Sequence, residues 1–215
     1  MNKFKRNDRG KDYVVGDLHG CYDMLMDQLL DINFNFAYDR LFCCGDLIDR
    51  GDKSLECLLL MYEPWFFSVR GNHEQMMIDY YVHGQDDGGL WHMNGGSWEL
   101  YENPVEMKEL ASEADYLLPY QIEIDESIGI VHADIGSSWR EVKESDGSTH
   151  TCLWDRCRIN NPSIYGDSVT GIDRVYVGHT PTVEGKVVIG NVHYMDSGAV
   201  FTGQPLRIEE INYEK

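Results

Sequence analysis

Three times in its first eighty residues the chain runs from a short apolar stretch into a Gly-Asp or Gly-Asn turn and then into a wider spacing. Asp12-Tyr13-Val14-Val15-Gly16-Asp17 reads as a short buried strand ending in a turn. Over 21–32, Cys21, Leu25, Leu29 and Ile32 recur at helical spacing. Leu41-Phe42-Cys43-Cys44-Gly45-Asp46 repeats the strand and turn, and 54–62 follows as a helix with Ser54 as its candidate cap. Trp65-Phe66-Phe67-Ser68-Val69 is a third strand, ending at Arg70-Gly71-Asn72, with a helix over 73–81. Three such units predict a largely parallel α/β core that presents functional residues at its strand C-termini.

The second half has a different rhythm. Residues 85–98 are Gly-rich and read as loop, and 104–118 as an acidic helix stopped near Pro119. Strands are predicted over 121–124, 128–132, 174–179, 187–189, 192–196 and 206–211. Two of these again deliver a polar residue at their end, His132 and His179. Residues 137–173 hold turn residues, two cysteines and Trp154 with little periodicity, and read as long functional loops.

Composition narrows the function classes. A chain of 215 residues, 42% apolar and 12% aromatic, fits one folded domain over 1–215 that needs no disulfide staples. The charged segment 1–12 has no apolar core of an export signal. The apolar stretch 58–67 is short and contains Glu63 and Pro64, so no bilayer span is expected. Six cysteines without a C-x-x-C pair read as reduced thiols in a cytoplasmic protein. The net charge of −19 argues against nucleic acid and anionic membranes as partners. An acidic substrate stays compatible, because a few Arg residues or bound cations reverse the field inside one cleft.

The strand ends carry the chemistry: Asp17, His19, Asp46, Asn72, His132 and His179. Carboxylate and amide oxygens mixed with imidazole nitrogens suit Mn²⁺, Fe²⁺ or Zn²⁺ better than Ca²⁺. Six such ligands match two metals sharing one carboxylate, an arrangement that serves in-line displacement at phosphorus by a bridging water. Arg50 and Arg70 are candidate phosphate grips. His73, beside Asn72, is the candidate general acid, with Asp49 placed to orient it. Asp17-Leu18-His19, Gly45-Asp46-Leu47-Ile48-Asp49-Arg50-Gly51 and Gly71-Asn72-His73-Glu74 follow one another at intervals of about 25–30 residues. One four-letter match has odds on the order of 1 in 100,000 per position, so the ordered set is not chance.

This combination resembles the metallophosphoesterase superfamily, within it the phosphoprotein phosphatase family and its phage lambda-type branch. The resemblance extends to Pro64-Trp65-Phe66, Asn94-Gly95-Gly96, Gly178-His179-Thr180-Pro181 and Asp196-Ser197-Gly198-Ala199-Val200-Phe201. It implies an α/β (α+β) fold, a β-sandwich of two mixed sheets flanked by helices. It implies that Asp17 and His19 hold one metal, that Asp46 bridges, and that Asn72, His132 and His179 hold the second. Arg50, Arg70 and Arg156 would bind the phosphoryl group, with Arg158 or Arg140 as substitutes for Arg156, and His73 paired with Asp49 would protonate the leaving group. The implied activity is that of a Ser/Thr protein phosphatase of single or dual specificity. It would use two divalent ions, Mn²⁺ or else Fe²⁺ or Zn²⁺, and a metal-bridging hydroxide without a phosphoenzyme. Its partners would be phosphorylated proteins in the cytoplasm, a host's cytoplasm if the chain is phage-encoded. A symmetrical dinucleoside tetraphosphatase or a cyclic-nucleotide phosphodiesterase would share every metal ligand. An inactive binding module with the same fold is an alternative of another class. His83, His92, His150 and His193 read as surface or core residues, 99–115 as a solvated helix face, and Trp91, Trp98 and Trp139 as packing or cleft walls.

Overall fold

Strands form where apolar runs can be buried on both faces. In β2 (Asp12–Val15) and β3 (Arg40–Cys43), Val14 and Phe42 turn to one side while Tyr13, Val15, Leu41 and Cys43 turn to the other. Each side is covered, which is why these runs show no polar alternation. The computed structural model describes residues 1–85, 89–143 and 147–213. Among the described residues, β2 and β3 lie parallel to each other and to β4 (Phe66–Ser68), and β10 (Ile208–Glu210) closes the edge antiparallel to β2.

A second, six-stranded sheet runs in the order β1-β5-β6-β7-β9-β8. Its strands are β1 (Asn2–Phe4), β5 (Gln121–Ile124), β6 (Ile128–Val131), β7 (Arg174–Val177), β8 (Val187–Ile189) and β9 (Val192–Tyr194). Its pairings are both parallel and antiparallel. Val14, Phe42, Cys44 and Val69 of the first sheet meet Ile122, Ile124, Ile128, Ile130 and Tyr176 of the second in the layer between them. This is the expected sandwich of two mixed sheets.

Helices cover the outer faces. The four-stranded sheet packs against α1 (Tyr22–Asp31), α2 (Ser54–Leu59), α3 (Asn72–Ile78) and α5 (Pro104–Leu117) through Leu25, Leu29, Leu58, Met77 and Ala111. Burying one such large side chain fully stabilises the fold by roughly 1.5–3 kcal/mol. The Asn103 side chain caps α5 by accepting from the Val105 N–H at 3.0 Å, with Pro104 in the first turn. No helix among the described residues is long and apolar enough to cross a membrane.

Three expectations need correction. Ser54 is not a helix cap: its hydroxyl accepts from the Asp49 N–H and donates to the Gly51 carbonyl, bracing the turn after β3. The stretch read as Gly-rich loop contains α4 (Leu90–Met93) and a 3₁₀ turn (Gly96–Tyr101). The stretch 137–173 contains α6 (Ser148–Trp154), α7 (Cys157–Asn160) and α8 (Pro162–Tyr165), each too short to display a helical period. Within those two stretches, residues 86–88 and 144–146 lie outside the described residues. A last short helix, α9 (Ala199–Thr202), precedes β10.

Candidate metal centre and active site

Each parallel strand hands over to a tight turn, and the turns are bent in a way that side chains resist. His19, Asp46, Asp49, Arg50 and His179 all have positive φ, between 42° and 75°. Non-glycine residues rarely hold that conformation, and it persists where surrounding contacts over-determine it. At Asp46 the determinant is Glu74. Its fully buried carboxylate accepts from the N–H groups of Asp46, Leu47, Ile48 and Gly71, at 2.8–3.3 Å. One side chain of α3 therefore fixes the turn after β3 and the turn after β4 together. Burial and the charge of Asp46 raise the Glu74 pKa to about 7.

The turns bring two sets of ligand-type atoms together. His132 Nε2, Asn72 Oδ1 and His179 Nδ1 lie 2.9–3.1 Å from one another. His132 Nδ1 sits 2.8 Å from the Cys44 carbonyl, which fixes its N–H there and leaves the Nε2 lone pair facing Asn72. With both rings neutral, three lone-pair atoms would face one buried point, an arrangement that a cation satisfies. On the other side, His19 Nδ1 lies 2.9 Å from the Ile48 carbonyl and turns Nε2 toward Asp46. Asp46 Oδ2 stands between the sets, 3.4 Å from His132 Nε2, 3.5 Å from His19 Nε2 and 3.9 Å from His73 Nε2. Two groups with ligand atoms inside 4.8 Å result, His19/Asp46/His73 and Asp46/His132/His179, with Asp46 common to both. Asp17 is outside these groups, and both its oxygens lie 3.0 Å from the His179 N–H.

Electrostatics make the same demand for positive charge. Burial, then the neighbouring charges of Asp196 and Asp46, push the Asp17 carboxyl well above its ordinary value. Burial would raise Asp46 as well, but the His132 and His73 imidazoles pull it well below. Burial lowers His19 and His179 to about 3, so both rings are neutral and able to ligate. Three buried carboxylates, Asp17, Asp46 and Asp196, share this corner. The donor set fits a pair of divalent cations.

His73, whose Nε2 faces Asp46 in the first group, has its Nδ1 2.5 Å from Asp49 Oδ2. Asp49 is wholly buried, and Trp91 and Trp98 also donate their indole N–H groups to its carboxylate. These tryptophans therefore do more than wall a cleft. Trp139 is a packing residue, its ring lying over Gly129 and its N–H bonded to Glu123.

The arginines separate. Arg50 is exposed, with Nη1 against His19 Nε2 and its guanidinium 5.2 Å over the Phe201 ring. Arg156 is exposed beside the metal group, reaching the His179 carbonyl and the Thr180 hydroxyl. Arg158 is buried and bonded to Asp134 and the carbonyls of Gly136, Tyr165 and Asp167. Arg70 is likewise buried, its donors engaged by Asp115, the Leu118 carbonyl, Gln75 and Tyr120. A hollow of about 350 Å³ bordered by Gln75, Asp79, Tyr120 and Trp154 adjoins Arg70's partners, and Trp154 stands 6.3 Å from the His179 ring. Among the remaining histidines, His92 pairs with Glu99, His83 with Asp79, and His193 packs on Tyr176.

Comparisons with known proteins point to phosphoesterases. Serine/threonine-protein phosphatase 1 of Salmonella typhimurium is 40% identical over 202 residues, 89% of this chain and 88% of that protein. A symmetrical bis(5'-nucleosyl)-tetraphosphatase of Actinobacillus pleuropneumoniae is 50% identical over 68 residues, 31% of this chain and 25% of that protein. A protein serine/threonine phosphatase from Saccharomyces cerevisiae shares the fold with a TM-score of 0.66 at 17% identity, covering 100% of this chain and 84% of that one. The calcineurin-like phosphoesterase family matches residues 13–186, from the second strand through both metal groups. The sequence, the sandwich and the shared-carboxylate centre agree, and the chain belongs to the calcineurin-like phosphoesterase family.

Proposed function

We propose that this chain is a metal-dependent phosphomonoesterase that removes phosphate from serine and threonine side chains of proteins. The observation that carries the reading is the pair of metal groups sharing Asp46, with His73 of the first group also paired to Asp49 through its other nitrogen. The protein-phosphatase class rests on the relative matched along 89% of the chain, whereas the tetraphosphatase relative matches over 31%.

In this reading Asp17 and His19 would hold one ion and Asn72, His132 and His179 the other, with Asp46 serving both; Mn²⁺ would suit the mixed oxygen and nitrogen donors. When bound, the two cations supply positive charge to the phosphoryl oxygens and make an attacking water more acidic. Arg50 and Arg156, both exposed at the rim, grip the phosphoryl oxygens. Arg70 joins them by exchanging its neutral partners Gln75 and Tyr120. Water attacks phosphorus in line, the bond to the serine or threonine oxygen breaks, and that oxygen takes a proton from His73 Nε2. Asp49, on Nδ1, stabilises the charged imidazole beforehand. The activity is assigned to one domain spanning 1–215 and to the cytoplasm, where the six free cysteines stay reduced.

The test is phosphate release from para-nitrophenyl phosphate, with and without Mn²⁺, followed by a panel of phosphoserine, phosphotyrosine and phosphohistidine peptides and diadenosine tetraphosphate. Metal-dependent release with preference for phosphoserine supports the reading. Preference for diadenosine tetraphosphate replaces it with a nucleotide hydrolase on the same metal centre.

A further inference from the structure

Asp49 occupies an unusual position for an anion. Its carboxylate has no exposure, so water contributes nothing to its stabilisation. Three donors converge on it instead. His73 Nδ1 and Trp91 Nε1 approach Oδ2 at 2.5 and 2.9 Å, and Trp98 Nε1 approaches Oδ1 at 2.8 Å. The two indoles reach Asp49 from α4 and from the 3₁₀ turn that follows it, 42 and 49 residues further along the chain.

The segment between the indoles is built to allow this. Gly95 has φ +111°, and a side chain there would lie 2.8 Å from the Arg50 backbone nitrogen. A side chain on Gly96 would lie 2.6 Å from Trp91 Nε1 and Cε2. The two glycines of Asn94-Gly95-Gly96 thus let one backbone stretch press on Arg50 and let the Trp91 ring lie flat beneath it. Packing alone requires neither N–H to face a carboxylate, yet both do.

We propose that Trp91 and Trp98 are positioning residues for acid catalysis: their indole N–H groups fix the Asp49 carboxylate, and through it the His73 ring that protonates the departing oxygen. This rests on the function proposed above, in which His73 is the general acid. Removing either N–H leaves Asp49 short of a donor in a dry site and loosens the ring's anchor. The metal ligands keep their own supports at Ile48, Cys44 and Glu74.

The test measures kcat and KM for a phosphoserine peptide and for para-nitrophenyl phosphate. The variants are Trp91→Phe, Trp98→Phe and Gly96→Ala, the two Phe changes made in the native chain and again on an Asp49→Asn background. Each Phe variant should lower kcat on the peptide roughly tenfold, the size of one hydrogen bond to a charged group. KM should stay within about twofold, and the loss should shrink on the nitrophenyl ester, whose leaving group needs no proton. On the Asp49→Asn background the same changes should cost nothing further. Equal losses on both substrates, or undiminished losses on that background, would overturn the proposal. His73→Asn is the reference: if it shows no dependence on the leaving group, the role of His73 itself fails. If it does and the tryptophan variants do not, only this inference fails. Should Trp91→Phe not fold, the part-exposed Trp98 and Gly96→Ala, which keeps both N–H groups but displaces the Trp91 ring, carry the comparison.

Discussion

His73 divides its two nitrogens between tasks, Nδ1 to Asp49 at 2.5 Å and Nε2 toward Asp46 at 3.9 Å. A ring held this way can deliver a proton without being a ligand. His73→Asn should therefore lower kcat by roughly 10²–10⁴-fold with both metals retained by elemental analysis. Loss of metal would make His73 a ligand in the group it forms with His19 and Asp46. Asp46→Asn should empty both positions, because Asp46 Oδ2 faces both groups. The ligand-type residues were readable in the sequence because each ends a short apolar strand. The roles of Glu74, Trp91 and Trp98 were not, because apart from Gly71 their partners lie 26–49 residues away along the chain, where no local pattern links them. On paper Arg156 stood first, with Arg158 or Arg140 as its substitutes. The fold separates them, burying Arg158 on Asp134 and leaving Arg156 at the rim beside His179.

At the scale of elements, the close approach of the β3 and β4 turns leaves no room for a methyl group on Gly71. A Cβ there would lie 2.1 Å from Asp46 Oδ1, although the Gly71 backbone, at φ −91°, suits any residue. Gly71→Ala should weaken metal affinity roughly 10–100-fold by displacing Asp46, while far-ultraviolet circular dichroism stays native. The three strand-turn-helix units were legible because long apolar runs and Gly-Asp turns are strong local signals. Strand β1 was not: three residues at a sheet edge, with Asn2 and Lys3 exposed, carry no period. What holds it includes Lys3, bonded at 2.8 Å to Glu123 of β5. Burial alone would raise the Glu123 carboxyl, but the hydrogen bonds from Lys3 and Trp139 hold it below its ordinary value. A carboxyl lowered on folding adds stability above its unfolded pKa and loses it as pH falls through the folded one. Glu123→Gln should thus cost about 1 kcal/mol at pH 7, and the gap between the two melting curves should close as pH falls below the ordinary glutamate range.

For the whole molecule, a net charge of −19 opposes the approach of a phosphate dianion. In the proposed centre, two divalent cations together with Arg50 and Arg156 would reverse this locally, among carboxylates committed to the metals. Outside, the acidic field persists over a Debye length of about 8–10 Å. A phosphopeptide flanked by Lys should therefore show a higher kcat/KM than one flanked by Glu at low salt, and the gap should narrow at high salt. Equal values at low salt would mean that the outer field does not select substrates. Dependence on two cations sharing Asp46 can be measured by titrating Mn²⁺ into chelator-stripped protein while following phosphate release from a phosphoserine peptide. No release without metal and a plateau at two ions per chain are expected. Full activity at one ion or none, or no release at any metal content, would contradict that dependence.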